Sequence, residues 1–132
     1  MGHLNLLLDT CTFIWLVSSS ERLPSKVARS INAATTSLFL SDISVWEITM
    51  KWQLGKLRLP QPPRYWIESQ RERWSLSAVP IEREHLYRVS ELPMHHRDPF
   101  DRLLIAQAIE CGLTLVTPDE ALHRYPAATL WD

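Results

Sequence analysis

Four acidic residues of the sequence lie directly beside apolar segments, where an ionised carboxylate needs a partner: Asp9, Glu47, Asp101 and Asp119. Asp9 immediately follows the apolar run LNLLL, and Asp119 comes two residues after LTLVT. Glu47 lies about one turn into a predicted helix, and Asp101 lies in the first turn of a later one. Carboxylates that gather in one place raise each other's pKa values, and a divalent cation relieves that repulsion. The four acids therefore predict a metal site.

The donor chemistry narrows the choice of ion and of reaction. Carboxylates and water, without a cluster of Cys and His, favour Mg²⁺ over zinc, with Mn²⁺ as a substitute. Such an ion lowers the pKa of bound water and stabilises a phosphoryl transition state, which makes phosphodiester hydrolysis the best-suited reaction. We expect Asp9 and Asp101 to hold the principal ion and Asp119 to complete the site partly through water. Glu47 either orients or deprotonates the attacking water or binds a second ion.

Each acid in these segments also has a structural explanation. Asp98, which a proline follows, is expected to be the N-cap of a helix. Asp101 would then be the third helical residue, where an acid can complete a capping box. Asp9 and Asp119 could form a turn or cap a short helix. The apolar surroundings of Asp101 and Glu47 favour a site, because they leave few polar positions to carry these side chains into solvent.

Other side chains with chemical potential are weaker candidates. His95 and His96 are expected to be solvated loop residues, since neither has a second histidine at helical i+4 spacing. Cys11 is expected to be a buried small residue rather than a nucleophile, because no Gly-rich elbow follows it. Thr10 and Thr117 flank predicted strand ends, where they either have a structural role or hydrogen-bond the carboxylates.

Hydrophobic periodicity predicts the elements that must position these residues. Strands are predicted at 4–8, 37–41, 76–81, 113–117 and 128–131, and the first, second and fourth have the clearest pattern. Helices are predicted at 10–18, 24–34, 43–54, 64–74, 82–91 and 99–111. This alternation predicts an α/β fold, a three-layer α/β/α sandwich with a mostly parallel central sheet. In such sheets the functional crevice lies beyond the carboxyl ends of the strands, where Asp9 and Asp119 are expected to meet.

Length and composition limit the class of protein. A chain of 132 residues suits one domain, residues 1–132, and 45% hydrophobic with 22% charged residues is typical of a soluble globular protein. The two cysteines form neither a disulfide framework nor a CxxC pair, which favours a reducing cytoplasm. The apolar N-terminus lacks a basic leading region and is interrupted by Asp9, so neither a signal peptide nor a membrane span is expected.

A nucleic-acid partner would need a local basic patch, because the formal charge of −1 provides no global basic field. Residues 51–73 contain six basic and two acidic residues, a net charge of +4, and Lys51, Lys56 and Arg58 are the predicted RNA contacts. Four aromatic residues alternate with the basic ones: Trp52, Tyr65, Trp66 and Trp74. They either stack on bases, form an aromatic core, or bind an antitoxin or a second copy of the chain.

The chain closely resembles the PIN-domain family and, within it, the VapC-type ribonuclease toxins of bacterial toxin–antitoxin modules. Four blocks in order carry the resemblance: LLLDTCTFIWL (6–16), SVWEITMKWQLGKL (44–57), HRDPFDRLLIAQA (96–108) and LTLVTPDEAL (113–122). The family pattern places its acids on Asp9, Glu47, Asp101 and Asp119. Cys11 and Pro118 depart from that pattern, but neither removes an acid.

The resemblance implies a PIN-like α/β/α sandwich, magnesium-dependent cleavage within an RNA chain, a small cognate antitoxin that blocks the site, and a homodimer. The alternative is a PIN-like binding module that recognises RNA or a protein partner without cutting it. A phosphoacceptor receiver domain and a haloacid-dehalogenase-like phosphatase fit less well. Both have a second acid near the end of the first strand, whereas this chain has only Asp9, in the segment DTC.

Overall fold

The structure is a computed structural model that describes residues 3–132. Its strands are β1 (Leu4–Leu8), β2 (Thr36–Ser41), β3 (Ser77–Val79), β4 (Thr114–Val116) and β5 (Thr129–Leu130). Its α-helices are α1 (Thr10–Ser18), α2 (Ser25–Asn32), α3 (Asp42–Gln53), α4 (Pro63–Trp74), α5 (Arg83–Glu91) and α6 (Pro99–Cys111). Two short 3₁₀ helices span Ser20–Arg22 and Leu122–Arg124. Between residues 3 and 132, no helix combines the length and the apolar character that crossing a membrane requires.

The strands form one sheet in the order β3-β2-β1-β4-β5, and every neighbouring pair is parallel. Leu7 at the centre of β1 pairs with Phe39 of β2 on one side and with Leu115 of β4 on the other. The predicted α/β fold is confirmed, and the described sheet is wholly rather than mostly parallel. The two strands with the weaker sequence pattern also form, at the two edges, where each needs only one partner.

A hydrophobic core lies on each face of the sheet and defines the three layers. Leu6 and Leu8 of β1 pack on one side with residues of α1, α2 and α4. Leu7 points to the opposite side, into a core built mainly from α6 together with Ile43 and Leu122. Both faces of β1 are therefore buried, which explains why its sequence is a continuous apolar run rather than an alternating one.

The helices that carry the acids begin at the carboxyl edge of the sheet. α1 and α3 start directly after β1 and β2, and α6 runs back along the sheet before β4. α6 ends at Gly112, whose φ of +65° suits glycine, and the Leu113 N–H donates to the Ala108 carbonyl at 2.9 Å. The first turns of all three helices are thereby brought to one edge of the sheet.

Candidate metal centre

A cleft of about 540 Å³ opens at this edge, and the four predicted acids all line it. Asp98 and Lys51 also line it, so five carboxylates face one another with a single basic side chain among the lining residues. The four acids come from four different segments of the chain, which only the parallel sheet brings together. The cleft therefore offers a cation a concentration of negative charge.

Asp9 is held rigidly at the end of β1. It is the N-cap of α1, and its Oδ1 accepts a hydrogen bond of 2.8 Å from the Thr12 N–H. The Asp9 N–H and the Thr12 hydroxyl both donate to the Val116 carbonyl, at 3.1 Å each, which ties this turn to β4. The residue is only 4% exposed, and burial raises the pKa of its carboxyl group, although hydrogen bonds from Thr117 and Thr12 oppose the rise. A carboxylate in this position gains from a cation.

Asp101 faces the cleft from the first turn of α6. The predicted N-cap is confirmed: Asp98 Oδ1 accepts from the Phe100 N–H at 2.8 Å, and a proline occupies the first helical position. Burial raises the pKa of Asp101 to about 7, and the negative charges of Asp98, Asp9 and Glu47 add to the rise. Asp98 therefore positions the helix, and Asp101 is the acid of this pair best suited to a metal ion.

Asp119 lies in the turn after β4. Its N–H donates to the Thr117 hydroxyl at 3.1 Å, and its Oδ1 accepts from the Ala121 N–H at 3.0 Å. Asp119 therefore both forms the turn and lines the cleft, because only its Oδ1 is used in the turn and its second oxygen, Oδ2, has a different partner.

That second oxygen contacts His96, and the expectation that His96 is a solvated loop residue is wrong. His96 Nε2 lies 2.8 Å from Asp119 Oδ2 and 3.5 Å from Asp101 Oδ2. His96 Nδ1 accepts a hydrogen bond from the Asp98 N–H at 3.0 Å, so in the neutral ring Nε2 carries the proton and donates to Asp119. His96, two residues before the helix cap, thus lies close to both Asp119 and Asp101. No local sequence pattern predicts this contact. His95, by contrast, is exposed as expected and packs its ring edge-on against Tyr125.

Glu47 is nearly buried and makes two strong contacts. Its Oε1 accepts from the Thr10 hydroxyl at 2.7 Å, and its Oε2 accepts from Lys51 Nζ at 2.6 Å. The hydrogen bond that Lys51 donates to Glu47 raises the pKa of Lys51 further above its usual value. The i,i+4 spacing on α3 could have revealed this ion pair from the sequence. Lys51, predicted as an RNA contact, therefore lies at the cleft but is already paired.

The remaining predicted RNA contacts, Lys56 and Arg58, are exposed and do not line the cleft. The aromatic residues of the same segment differ in burial, and only one of those named next belongs to an aromatic core. Trp66 is buried in the core, whereas Trp52 and Tyr65 are exposed by 38% and 62%. Of the three predicted RNA contacts, only Lys51 therefore lines the acidic cleft.

Cys11 lines the cleft and is only partly buried, so the expectation of a buried residue is wrong. Burial raises its pKa to about 11, and the negative charge of Asp9 adds to the rise. A thiol with this pKa stays protonated near neutral pH, in agreement with the prediction that Cys11 is not a nucleophile.

The donor set fits a hard divalent cation. His96, Asp101 and Asp119 each offer a ligand atom, and these atoms lie within 4.8 Å of one another, but the tautomer of His96 turns an N–H toward the acids. Oxygen donors are therefore left for the ion, as Mg²⁺ and Mn²⁺ require and as Zn²⁺ does not favour.

Replacing His96 by Ala is expected to weaken binding of Mn²⁺ about tenfold, because Asp119 loses the N–H that orients its carboxylate. Isothermal titration calorimetry on the purified protein measures the affinity. His95→Ala is the matched control and should bind Mn²⁺ as the unmodified chain does. An affinity that is unchanged or higher in His96→Ala would show that the histidine does not position the acid.

The sequence of the chain is similar to those of known proteins. The model of the PIN domain matches residues 6–128 of the chain. Ribonuclease VapC22 of Mycobacterium tuberculosis is 31% identical over 130 residues, which cover 96% of this chain and 98% of that protein.

Two solved structures have the same fold at low sequence identity. VapBC2 from Rickettsia felis, bound to a DNA fragment from its promoter, superposes with a TM-score of 0.73 at 17% identity, covering 98% of this chain and 100% of that one. A toxin–antitoxin complex from Klebsiella pneumoniae gives a TM-score of 0.56 at 19% identity, with 86% of each chain covered.

Proposed function

The chain belongs to the PIN-domain family, and we propose on that premise that it is a metal-dependent endoribonuclease, the toxin of a toxin–antitoxin pair. The observation that carries the proposal is the convergence of Asp9, Glu47, Asp101 and Asp119 in one cleft. The name of the relative from Mycobacterium tuberculosis, a ribonuclease, supports RNA as the substrate. In this proposal residues 1–132 act as one nuclease domain in the cytoplasm.

The roles of the acids follow from their surroundings. Asp9 and Asp101 hold the ion, because burial raises the pKa of both and the positive charge stabilises their ionised forms. Asp119, fixed by His96 and by its own turn, completes the site partly through water. When bound, Mg²⁺, or Mn²⁺ in its place, activates a water molecule and neutralises charge on the phosphate.

Glu47 is proposed to orient the attacking water rather than to bind a second ion. Lys51 already forms an ion pair with one oxygen of Glu47. This pairing offsets the negative charge of Glu47 and reduces the gain from a second cation nearby. Each carboxylate oxygen retains a lone pair beyond the hydrogen bond it accepts, so Glu47 can still accept a bond from water.

Partners are proposed on separate grounds. A small antitoxin that blocks the cleft is supported by the fold shared with the toxin–antitoxin complex from Klebsiella pneumoniae. The RNA substrate is proposed to extend from the cleft toward Lys56 and Arg58, where exposed cations lie close in sequence to α3.

A homodimer is proposed through an apolar face formed by α3, α5 and α6. An apolar groove of about 280 Å³ is lined by residues that include Leu86, Phe100 and Trp46, and Trp46 is 56% exposed. The Trp46 ring packs edge-on against Phe100 with 5.0 Å between the ring centroids. A protruding aromatic side chain next to a groove allows two copies to pack by a twofold axis, each Trp46 against the other groove.

RNA cleavage with and without metal tests the proposed function. The purified chain, freed of any antitoxin, is expected to cut a mixed RNA pool in Mg²⁺ or Mn²⁺ and to leave it intact in excess EDTA, because the carboxylates then lack their counter-ion. Denaturing gel electrophoresis measures the products. Binding of RNA without cleavage in any of the metals would contradict the proposal and support the binding-module alternative.

A further inference from the structure

One wall of the acidic cleft is apolar and aromatic, which coordination of a metal ion does not require. Ile14, Trp15 and Pro118 line the cleft together with the acids. Trp15 lies on α1, two turns from Asp9, and Pro118 directly precedes Asp119. The apolar surface therefore lies beside the carboxylates, within the same cleft of about 540 Å³.

A positively charged side chain, that of Arg22, contacts this wall. The guanidinium carbon of Arg22, in the 3₁₀ helix after α1, lies 4.1 Å from the centroid of the Trp15 ring, a cation–π contact. Trp131 packs against the same ring, with 5.9 Å between the two ring centroids. Within residues 3–132, no carboxylate lies within ion-pair distance of Arg22, in contrast to Lys51, which is bound to Glu47. Arg22 is thus an exposed positive charge beside the cleft, free to contact an anion.

An aromatic surface next to a free guanidinium suits one nucleotide. Bases of single-stranded nucleic acid pack on aromatic and apolar side chains, while cations contact the adjoining phosphates. A polyanion entering a cleft with five carboxylates also needs positive charge at the rim, because one metal ion and Lys51 do not balance the acids.

We propose that the wall of Ile14, Trp15 and Pro118 binds the unpaired nucleobase next to the scissile phosphate, and that Arg22 contacts the neighbouring phosphate. This subsite rests on the proposed ribonuclease function and adds a requirement to it. A paired base is stacked within its duplex and cannot lie against the wall, so the substrate bond is in a single-stranded segment.

The test compares bases and side chains in pairs. Once the cleavage site in the RNA pool is mapped by sequencing, short RNA oligonucleotides are made with an abasic nucleotide on either side of the cut. With the unmodified chain, one of the two abasic substrates is expected to lose about tenfold in kcat/KM, mainly through KM. Trp15→Leu should lower kcat/KM on the intact substrate by a similar factor and should no longer distinguish it from the abasic one.

Two variants separate this effect from a loss of folding. Tyr87→Leu removes an exposed aromatic side chain of α5, outside the cleft, and should leave cleavage of both substrates unaffected. Arg22→Gln should bind RNA more weakly and lower the slope of log K against log salt by about 0.7, the loss of one phosphate contact with a single strand. Equal loss on intact and abasic substrates by Trp15→Leu, with a normal melting temperature, would overturn the subsite.

A failure of the nucleobase subsite can be distinguished from a failure of the proposed ribonuclease function. Binding of the labelled oligonucleotides to an Asp101→Asn protein, followed by fluorescence anisotropy, reports on the wall without any cleavage. If the unmodified chain cuts RNA but the abasic and Trp15 effects are absent, the ribonuclease stands and the subsite falls. If no RNA is cut, the proposed function fails, while base-dependent binding that requires Trp15 would still support the wall as a nucleobase site.

Discussion

Replacing Asp101 by Asn is expected to abolish RNA cleavage and at the same time to stabilise the metal-free protein. The loss of activity should exceed the 10–100-fold that is typical for residues outside the metal's own ligands, because Asp101 is proposed as a direct ligand. The gain in stability follows from burial and from neighbouring negative charges, which raise the pKa of Asp101 to about 7. Asn has the same shape and no charge, so at pH 8 the melting temperature should rise by roughly 3–5 °C, or about 1 kcal/mol.

Asp98, the N-cap of the same helix, provides the matched control. Asp98→Asn keeps a good N-cap, because Asn accepts the same backbone hydrogen bonds, and it should cleave RNA within a few-fold of the unmodified chain. Cleavage rates and thermal melts of both variants are measured in parallel. An active Asp101→Asn together with an inactive Asp98→Asn would reverse the assignment of the metal ligand within this motif.

Metal affinity and metal-free stability are expected to change in opposite directions with pH. The folded protein holds a proton on Asp101 up to about pH 7, whereas the unfolded chain releases it near the ordinary pKa of 3.8. Between these values the folded state binds more protons than the unfolded state, so the stability of the metal-free protein falls as pH rises from about 4 to 7. A metal ion displaces the same proton, so its affinity rises with pH and levels off above 7, with roughly 100-fold weaker binding at pH 5.

Two measurements check this pair of trends. Thermal melts of the metal-free protein from pH 5 to pH 8 should show the decline, and the decline should be smaller in Asp101→Asn. Calorimetric titration with Mn²⁺ in buffers of different ionisation enthalpy should detect about one proton released at pH 6 and almost none at pH 8. An affinity that does not depend on pH between 5 and 7 would mean that Asp101 is ionised before the metal arrives.

The acidic cleft lowers the stability of the metal-free protein and thereby favours binding of a cation. Five carboxylates in one cleft repel one another in the absence of a cation, and the buried position of Asp9 and the partly buried position of Asp101 make that repulsion stronger. The cleft is nevertheless rigid, since Asp9 and Asp98 each cap a helix and Thr10 holds Glu47. Rigid carboxylates that cannot relax apart bind a cation more tightly than flexible ones.

The elements were largely predictable because their signals are local. The bounds of β1, α1 and α6 agree with the prediction to the residue, since each begins or ends at a strong marker: Asp9, the Asp98-Pro99 pair or Gly112. The short strands β3 and β5 had weak patterns, because an edge strand of two or three residues is defined by its neighbour rather than by its own sequence.

The acids, the helices that carry them and the sheet edge that they approach can all be inferred from the sequence, because strand and helix periods, caps and the order of elements are local patterns. The partners of these side chains, by contrast, follow from how the folded segments pack together. The contact of His96 with Asp119 spans 23 residues, that of Thr10 with Glu47 spans 37, and the cation–π pair of Arg22 and Trp15 lies across a turn. Such contacts depend on the distance between segments after packing, and no local pattern of residue types records that distance.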